Sequence, residues 1–321
     1  MSKDHDMDLS HHDVVYAIAA SPNFATDGIC FAGRSSGLYR SQDGGVTWPS
    51  TLDSLQLSAP LAASAVAVSP AFTADRFVVA GAEGGVLRSF DRGDTWYVHL
   101  LPAPPPLISC LAVSPNFAED GVLFAGALED GVFRSANRGD NWVLWNFGLL
   151  DLHVMALAVS PDYARDETLF AGTETGVFRS SNGGRAWRET PFPSDLAPVL
   201  SLALSPAFAS DGVLFAGAEV NGLHVSHDRG RSWQRLGAQI AAESVNAIIL
   251  SPYFPARPHL LVLLANGPFL SRDGGLTWSA AAGADVADAQ ASAVAAPLGL
   301  EPGAPLLLGL TNGDVVRTTI S

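Results

Sequence analysis

A dipeptide recurs at nearly constant intervals along this chain, and that recurrence limits what the chain can fold into more than any other feature. Ser-Pro stands at Ser21-Pro22, Ser69-Pro70, Ser114-Pro115, Ser160-Pro161, Ser205-Pro206 and Ser251-Pro252, with a degenerate seventh copy at Ala296-Pro297. The intervals are 48, 45, 46, 45, 46 and 45 residues. Trp48, Trp96, Trp142, Trp187, Trp233 and Trp278 keep step with them, and Trp145 alone lies outside the series. A fixed period of this size means one supersecondary unit used repeatedly, each copy burying its apolar faces against its neighbours.

Within a unit the apolar runs are four to seven residues long and are separated by Gly, Pro, Asp and Asn, which is the pattern of strands and turns. The third unit predicts four strands, at Ser109 to Val113, Gly121 to Ala125, Gly131 to Ser135 and Asn141 to Trp145. Four short antiparallel strands per period make a propeller blade. The fold class is therefore all-β, a seven-bladed β-propeller of four-stranded antiparallel blades forming one domain over residues 1–321. The last unit, from Ala296 to Ser321, stops after three strands without its Trp. Residues 1–20 before the first Ser-Pro make up the missing length, so the N-terminal segment is expected to supply the outer strand of blade seven and leave no open sheet edge.

The run Ser41-Gln42-Asp43-Gly44-Gly45-Val46-Thr47-Trp48 has the form S-x-D-x-G-x-T-W and resembles the Asp-box of the BNR repeat family. Ser89 to Trp96 and Ser271 to Trp278 match in full. The copies at Ser135 and Ser180 depart at two positions each and that at Ser226 at one, with Asn137 and Asn182 in place of Asp, and with Asn141, Ala186 and Ser232 in place of Thr. The resemblance covers nearly the whole chain and implies a propeller, but the repeat is shared by sialidases, xyloglucan hydrolases, sortilin-like receptors and photosystem II assembly factors. Chemically the box reads as a turn clamp. Ser and Asp oxygens accept bonds from turn N–H groups, Gly takes the positive φ, and Trp fills the wedge between blades. Asp43, Asp91, Asn137, Asn182, Asp228 and Asp273 are accordingly structural. A second block, S-P-x-F-x-x-D, repeats Phe24, Phe72, Phe117, Tyr163, Phe208 and Phe254, and Asp27, Asp75, Asp120, Asp166 and Asp211, and is read the same way.

The net charge of -14 argues against an electrostatic grip on nucleic acid or anionic lipid. No apolar run is long enough to span a bilayer and no hydrophobic leader opens the chain, so a cytoplasmic location without membrane insertion is expected. Cys30 and Cys110 are too few for a disulfide framework and sit in apolar stretches. His5, His11 and His12 lie among acidic residues without a metal-ligand spacing, so neither metal nor cofactor is expected.

Sialidase resemblance would imply an arginine cluster, a Tyr-Glu pair and an acid at the axial mouth. The inner strands offer small apolar residues instead, Tyr16 is the only tyrosine near the axis, and Arg34 is the only arginine in the second-to-third turns. No catalytic residue is assigned. Glu83, Glu129, Glu174 and Glu219 occupy equivalent turns of blades two to five and form a candidate acidic arc, readable as a surface for a cationic partner, a divalent-ion site or solvated loop charge. Function in a repeat protein should lie where copies differ. The fourth-to-first connections differ most, and Tyr97, Trp145, Phe147 and Phe192 are the candidate anchors of a rim patch, or else caps folded inward. The expected activity is a non-catalytic platform for a protein partner, as in an assembly factor. The alternative is a carbohydrate-active propeller that binds or hydrolyses a glycan.

Overall fold

The computed structural model describes residues 13–102, 104–240, 242–283 and 290–321, so His5, His11 and His12 lie outside the described residues. Seven antiparallel sheets follow one another along the chain, each built in strand order from the inside outwards. They make a seven-bladed β-propeller. In blade three the strands are Leu107–Val113, Leu123–Leu128, Gly131–Ser135 and Val143–Leu144. The second begins two residues later than the periodicity suggests, because Gly121 caps a short helix with a left-handed φ of 59°. The fourth is short because its leading residue, Asn141, gives its N–H to the turn side chain of Asn137 at 2.9 Å.

Five blades have four strands. In blade one the fourth is reduced to a bridge between Tyr39 and Ser50, and blade seven shows three strands among the described residues. Val15–Ala20 pairs with Cys30–Arg34 as the innermost strand of blade one. Residues 1–12, part of the segment expected to complete blade seven, lie outside the described residues. The closing contact that is described is lateral. Ser292 in the inner strand of blade seven donates its Oγ–H to the carbonyl of Val15 at 2.7 Å.

The Ser-Pro block builds the first-to-second connection of each blade. Ser114 Oγ donates to Asp120 Oδ2 at 2.5 Å and accepts Asn116 N–H, while Asp120 Oδ1 accepts Val122 N–H at 2.8 Å. Between these clamps the chain makes one helical turn, and the same turn recurs at Phe24–Asp27, Phe72–Asp75, Phe117–Asp120, Tyr163–Asp166 and Phe208–Asp211. Blade six has Pro255 and Arg257 where the helix and its closing Asp would stand, and it shows bends there instead.

Adjacent blades touch most closely at a glycine in the second strand. A Cβ added at Gly33 would lie 2.4 Å from the Ala63 carbonyl oxygen, one at Gly126 would meet Val154, and one at Gly309 would meet Val15. The aromatic wedges complete each junction. Trp96 of blade two packs into a buried cluster with Ile29, Phe31 and Leu38 of blade one, and Trp187 of blade four packs with Phe124 and Val132 of blade three. Burial of each such ring contributes on the order of 2 kcal/mol. Gly33→Ala forces a methyl onto a backbone carbonyl and is expected to destabilise the fold by about 2 kcal/mol, measured by denaturant unfolding. Gly283→Ala, whose Cβ would meet nothing within 4 Å, is the control and should leave the midpoint in place.

Candidate functional site

Each blade has two ends of unlike chemistry. At one end the two repeated motifs meet, because the third-to-fourth turn hydrogen-bonds to the short helix cap: Gly44 N–H to Gly28 O at 3.0 Å, Arg138 N–H to Gly121 O at 2.9 Å and Arg229 N–H to Gly212 O at 3.0 Å. In these turns the acid faces its own backbone. Asp43 Oδ1 accepts Ser41 Oγ–H, Val46 N–H and Thr47 N–H at 2.7, 3.0 and 2.9 Å, and Oδ2 accepts Thr47 Oγ1–H at 2.6 Å. Asp91, Asp228 and Asp273 repeat the arrangement with Thr95, Ser232 and Thr277. Asn137 and Asn182 keep the Ser bond and one N–H bond, at Asn141 and Ala186.

The bonds from Thr277 and from the turn backbone hold the Asp273 carboxyl at about 2, below its ordinary 3.8, and those from Ser232 do the same for Asp228. A carboxyl depressed on folding stabilises the native state fully above its unfolded value and loses that contribution as pH falls through its folded value. The clamps therefore hold until the medium is well below pH 3.8 and release towards pH 2. Asp273→Asn removes one titrating clamp, and its thermal midpoint should fall relative to wild type at pH 7 and converge with it near pH 2.

The opposite end carries the second-to-third turns and the fourth-to-first connections, and backbone bonds tie the two together. Glu83 bridges Leu107, Gly84 N–H bonds to Pro106 O, Gly131 N–H to Leu152 O and Glu219 N–H to Pro198 O. Glu83, Glu129, Glu174 and Glu219 are all exposed in equivalent turns. Glu129 sits there with φ at 77°.

Glu174 belongs to the one described group with metal-ligand geometry. An oxygen of Asp151, a ring nitrogen of His153 and an oxygen of Glu174 lie within 4.8 Å of one another. His153 Nδ1 is 3.3 Å from Asp151 and 3.4 Å from Glu174. Asp151 is already engaged, since Oδ2 accepts Thr175 N–H and Oγ1–H at 2.8 and 2.9 Å and Oδ1 accepts His153 N–H at 3.0 Å. Burial works against its charge, but these bonds hold its carboxyl below the ordinary range. The trio locks the connection leaving blade three to the turn of blade four. A similar lock in blade one is made by Asp13, which accepts Ser35 Oγ–H, Ser36 N–H and Ser36 Oγ–H at 2.8, 3.0 and 2.7 Å.

The four aromatic candidates do not come together. Phe192 is only 5% exposed and stands edge-on to His224 and Trp233 at 5.4 and 5.2 Å. It is a core residue, drawn inward by the wedge between blades four and five. Trp145 is half-buried, with Arg134 over its ring at 4.4 Å and Arg185 at 5.7 Å, and its carbonyl accepts Trp187 Nε1–H at 2.7 Å. Tyr97 is exposed but lies beside Phe90, near the repeated turn of blade two. Only Phe147, 80% exposed, stands free on its connection. Its neighbours in kind are Leu150, equally exposed, and Leu100, Leu107 and Leu152.

The axis is lined by the inner strands, of sequences such as ASAVAV, VMALAV and VLSLAL, and no described inner strand carries a charged side chain. Among the described carboxyls, those displaced in their titration, at Asp13, Asp43, Asp91, Asp151, Asp228 and Asp273, are all lowered. Arg34 is paired with Asp13 at 3.9 Å and stacked on Tyr39. Burial pushes the thiols of Cys30 and Cys110 up to about 12. No described helix is long and apolar enough to cross a membrane.

No protein-family model matches the chain and no curated protein matches it. Solved structures do resemble it. The extracellular domain of a one component system from B. thetaiotaomicron superposes with a TM-score of 0.70 at 14% identity, over 98% of this chain and 39% of that one. A GH74 enzyme of Niastella koreensis gives 0.74 at 17% identity, over 95% and 52%. YCF48 bound to a D1 peptide gives 0.68 at 16% identity, over 97% and 93%. The chain thus spans about two fifths to one half of the first two. At these identities the likeness shows the propeller fold alone.

Proposed function

We propose that this propeller is a non-catalytic binding platform that takes a protein partner on the end opposite its repeated turns. The observation that carries the reading is the exposure of Leu100, Phe147 and Leu150 on the connections of blades two and three. Large apolar side chains held in water by ordered backbone mark a surface that another molecule covers. Glu83 and Glu129 lie on the turns to which those connections are bonded, so the surface is apolar with an acidic border. A segment presenting apolar side chains flanked by Lys or Arg fits both features. YCF48, which is similar in fold, is solved with a peptide bound.

The likeness to GH74 enzymes supports a second reading, a carbohydrate-active propeller. Glycoside hydrolysis needs a carboxylic acid held protonated near neutral pH beside an ionised partner. The lowered carboxyls of this chain are turn clamps and hydrogen-bonded anchors, and the axial strands carry none, which favours the platform.

The test compares proteins captured from source-cell lysate by wild type and by Phe147→Ser/Leu150→Ser. Exposed substitutions of this kind change stability by about 0.5 kcal/mol or less, so the variant is expected to fold. A stoichiometric partner retained by wild type and lost by the variant is expected. Capture unaffected by the substitutions, or hydrolysis of a polysaccharide by wild type with no partner captured, would overturn the proposal.

A further inference from the structure

At successive blade junctions an arginine from the third strand reaches into the repeated turn of the next blade. Arg40 donates to Asp94 Oδ1 and to Arg92 O, both at 2.7 Å. Arg88 donates to Asp140 Oδ1 at 2.6 Å and to Arg138 O at 3.3 Å. Arg179 makes the same reach from blade four, donating to Arg229 O at 3.3 Å. The turn position filled by Asp94 and Asp140, five residues after the turn serine, is here Arg231. An ion pair has been replaced by two like charges.

Blade four also has an arginine at this turn position, Arg185, but Glu167 neutralises it at 2.9 Å from the cap of the neighbouring helix. The corresponding cap in blade five is Gly212, with no side chain to offer. Arg188 and Arg229 complete the group, and among the described residues none of Arg179, Arg188, Arg229 and Arg231 has a carboxylate within 4.0 Å. The four line a cleft of about 500 Å³ between blades four and five, with Ser181, Asn182 and Thr190, and Glu189 as the one acid on its wall.

Thr190, on the wall of the cleft, also departs from its counterpart in blade one. It is 92% buried by the measure of its 8% exposure, and its hydroxyl has no hydrogen-bond partner. In the corresponding place of blade one, where Thr51 N–H bonds to Leu38 O as Thr190 N–H bonds to Val177 O, the Thr51 hydroxyl is bonded to Gly93 O and Trp96 Nε1–H. At the arginine-lined junction neither the Thr190 hydroxyl nor Trp233 Nε1–H finds a partner. A buried hydroxyl left unbonded costs about 1–3 kcal/mol, and because the Thr190 oxygen is shielded from solvent it belongs to the packing of this junction and not to the surface that a ligand in the cleft would meet.

We propose that the cleft between blades four and five binds a phosphate-class oxyanion, held by Arg179, Arg188 and Arg231. Guanidinium forks match such an anion in bidentate geometry, and four arginines against Glu189 on the wall, with Asp166 acting on Arg179 from behind, leave the cleft net positive within an acidic protein. The cleft lies at the repeated turns of blades four and five.

The test is titration calorimetry of the full chain with inorganic pyrophosphate and inorganic phosphate at low ionic strength, alongside thermal melts. Wild type is expected to bind pyrophosphate more tightly than phosphate, to melt higher in its presence and to bind more weakly as salt is added. Arg231→Asp installs the residue that the junctions at Arg40 and Arg88 already use, so it should fold, pair with Arg179 and weaken binding by about tenfold or more. Arg272→Asp makes the same charge change in the turn of blade six and should leave affinity unchanged. Absence of binding by wild type, equal affinity in Arg231→Asp, or equal losses in both variants would overturn the proposal.

Discussion

The ring stands on one close contact, the approach of the second strand to the first strand of the next blade, made in six of the seven blades through a residue with no side chain and in blade six at Leu263. Gly33, Gly81, Gly126, Gly172, Gly217 and Gly309 face Ala63, Ile108, Val154, Val199, Val245 and Val15 respectively, at separations that leave no room for a Cβ. Because each blade touches only its neighbours, the contact has to recur for the ring to close. The last pair is the seam. Gly309 meets Val15 as Gly126 meets Val154, and Ser292 donates to Val15 O as Ser109 donates to Val154 O. The seam is thus an ordinary junction, built from residues at opposite ends of the chain.

Once that spacing is fixed, the turns need only be clamped, and local hydrogen bonds suffice. Ser and Asp at fixed offsets close both repeated motifs with partners no more than six residues away. This is why so much was legible in the sequence. The turns at the Ser-Pro blocks and the backbone-facing carboxyls of Asp43 and Asp273 follow from bonds that begin and end within one short segment, whereas the helical form of those turns was not foreseen. The helix is lost in blade six where its Asp gives way to Arg257, which the alignment of repeats also displays.

What the sequence did not disclose depends on contacts between blades. Phe192 and Phe147 occur in similar proline- or glycine-bearing connections, and only the neighbour decides their fates. Phe192 finds His224 and Trp233 across the wedge, whereas Phe147 gives its backbone to Trp187 and leaves its ring in water. Burial and then Arg235 push His224 down to about 4, so Phe192 packs on a neutral imidazole. Val15–Ala20 is the inner strand of blade one, as its small apolar residues indicate, and length arithmetic that counts the same residues towards blade seven cannot sense their register on Cys30–Arg34.

The arginine-lined cleft shows how a repeat departs from itself without losing its fold. Arg40 and Arg88 meet Asp94 and Asp140 about one period further along, a distance at which neighbouring letters of the sequence give no hint of pairing. Exchanging that Asp for Arg231 leaves the clamp intact, because Asp228 bonds to the N–H of residue 231 and not to its side chain. The turn position is therefore free to vary in charge while the backbone holds. Clamped backbone with unclamped side chains is the property that lets one propeller carry an acidic apolar rim at one end and a basic cleft at the other.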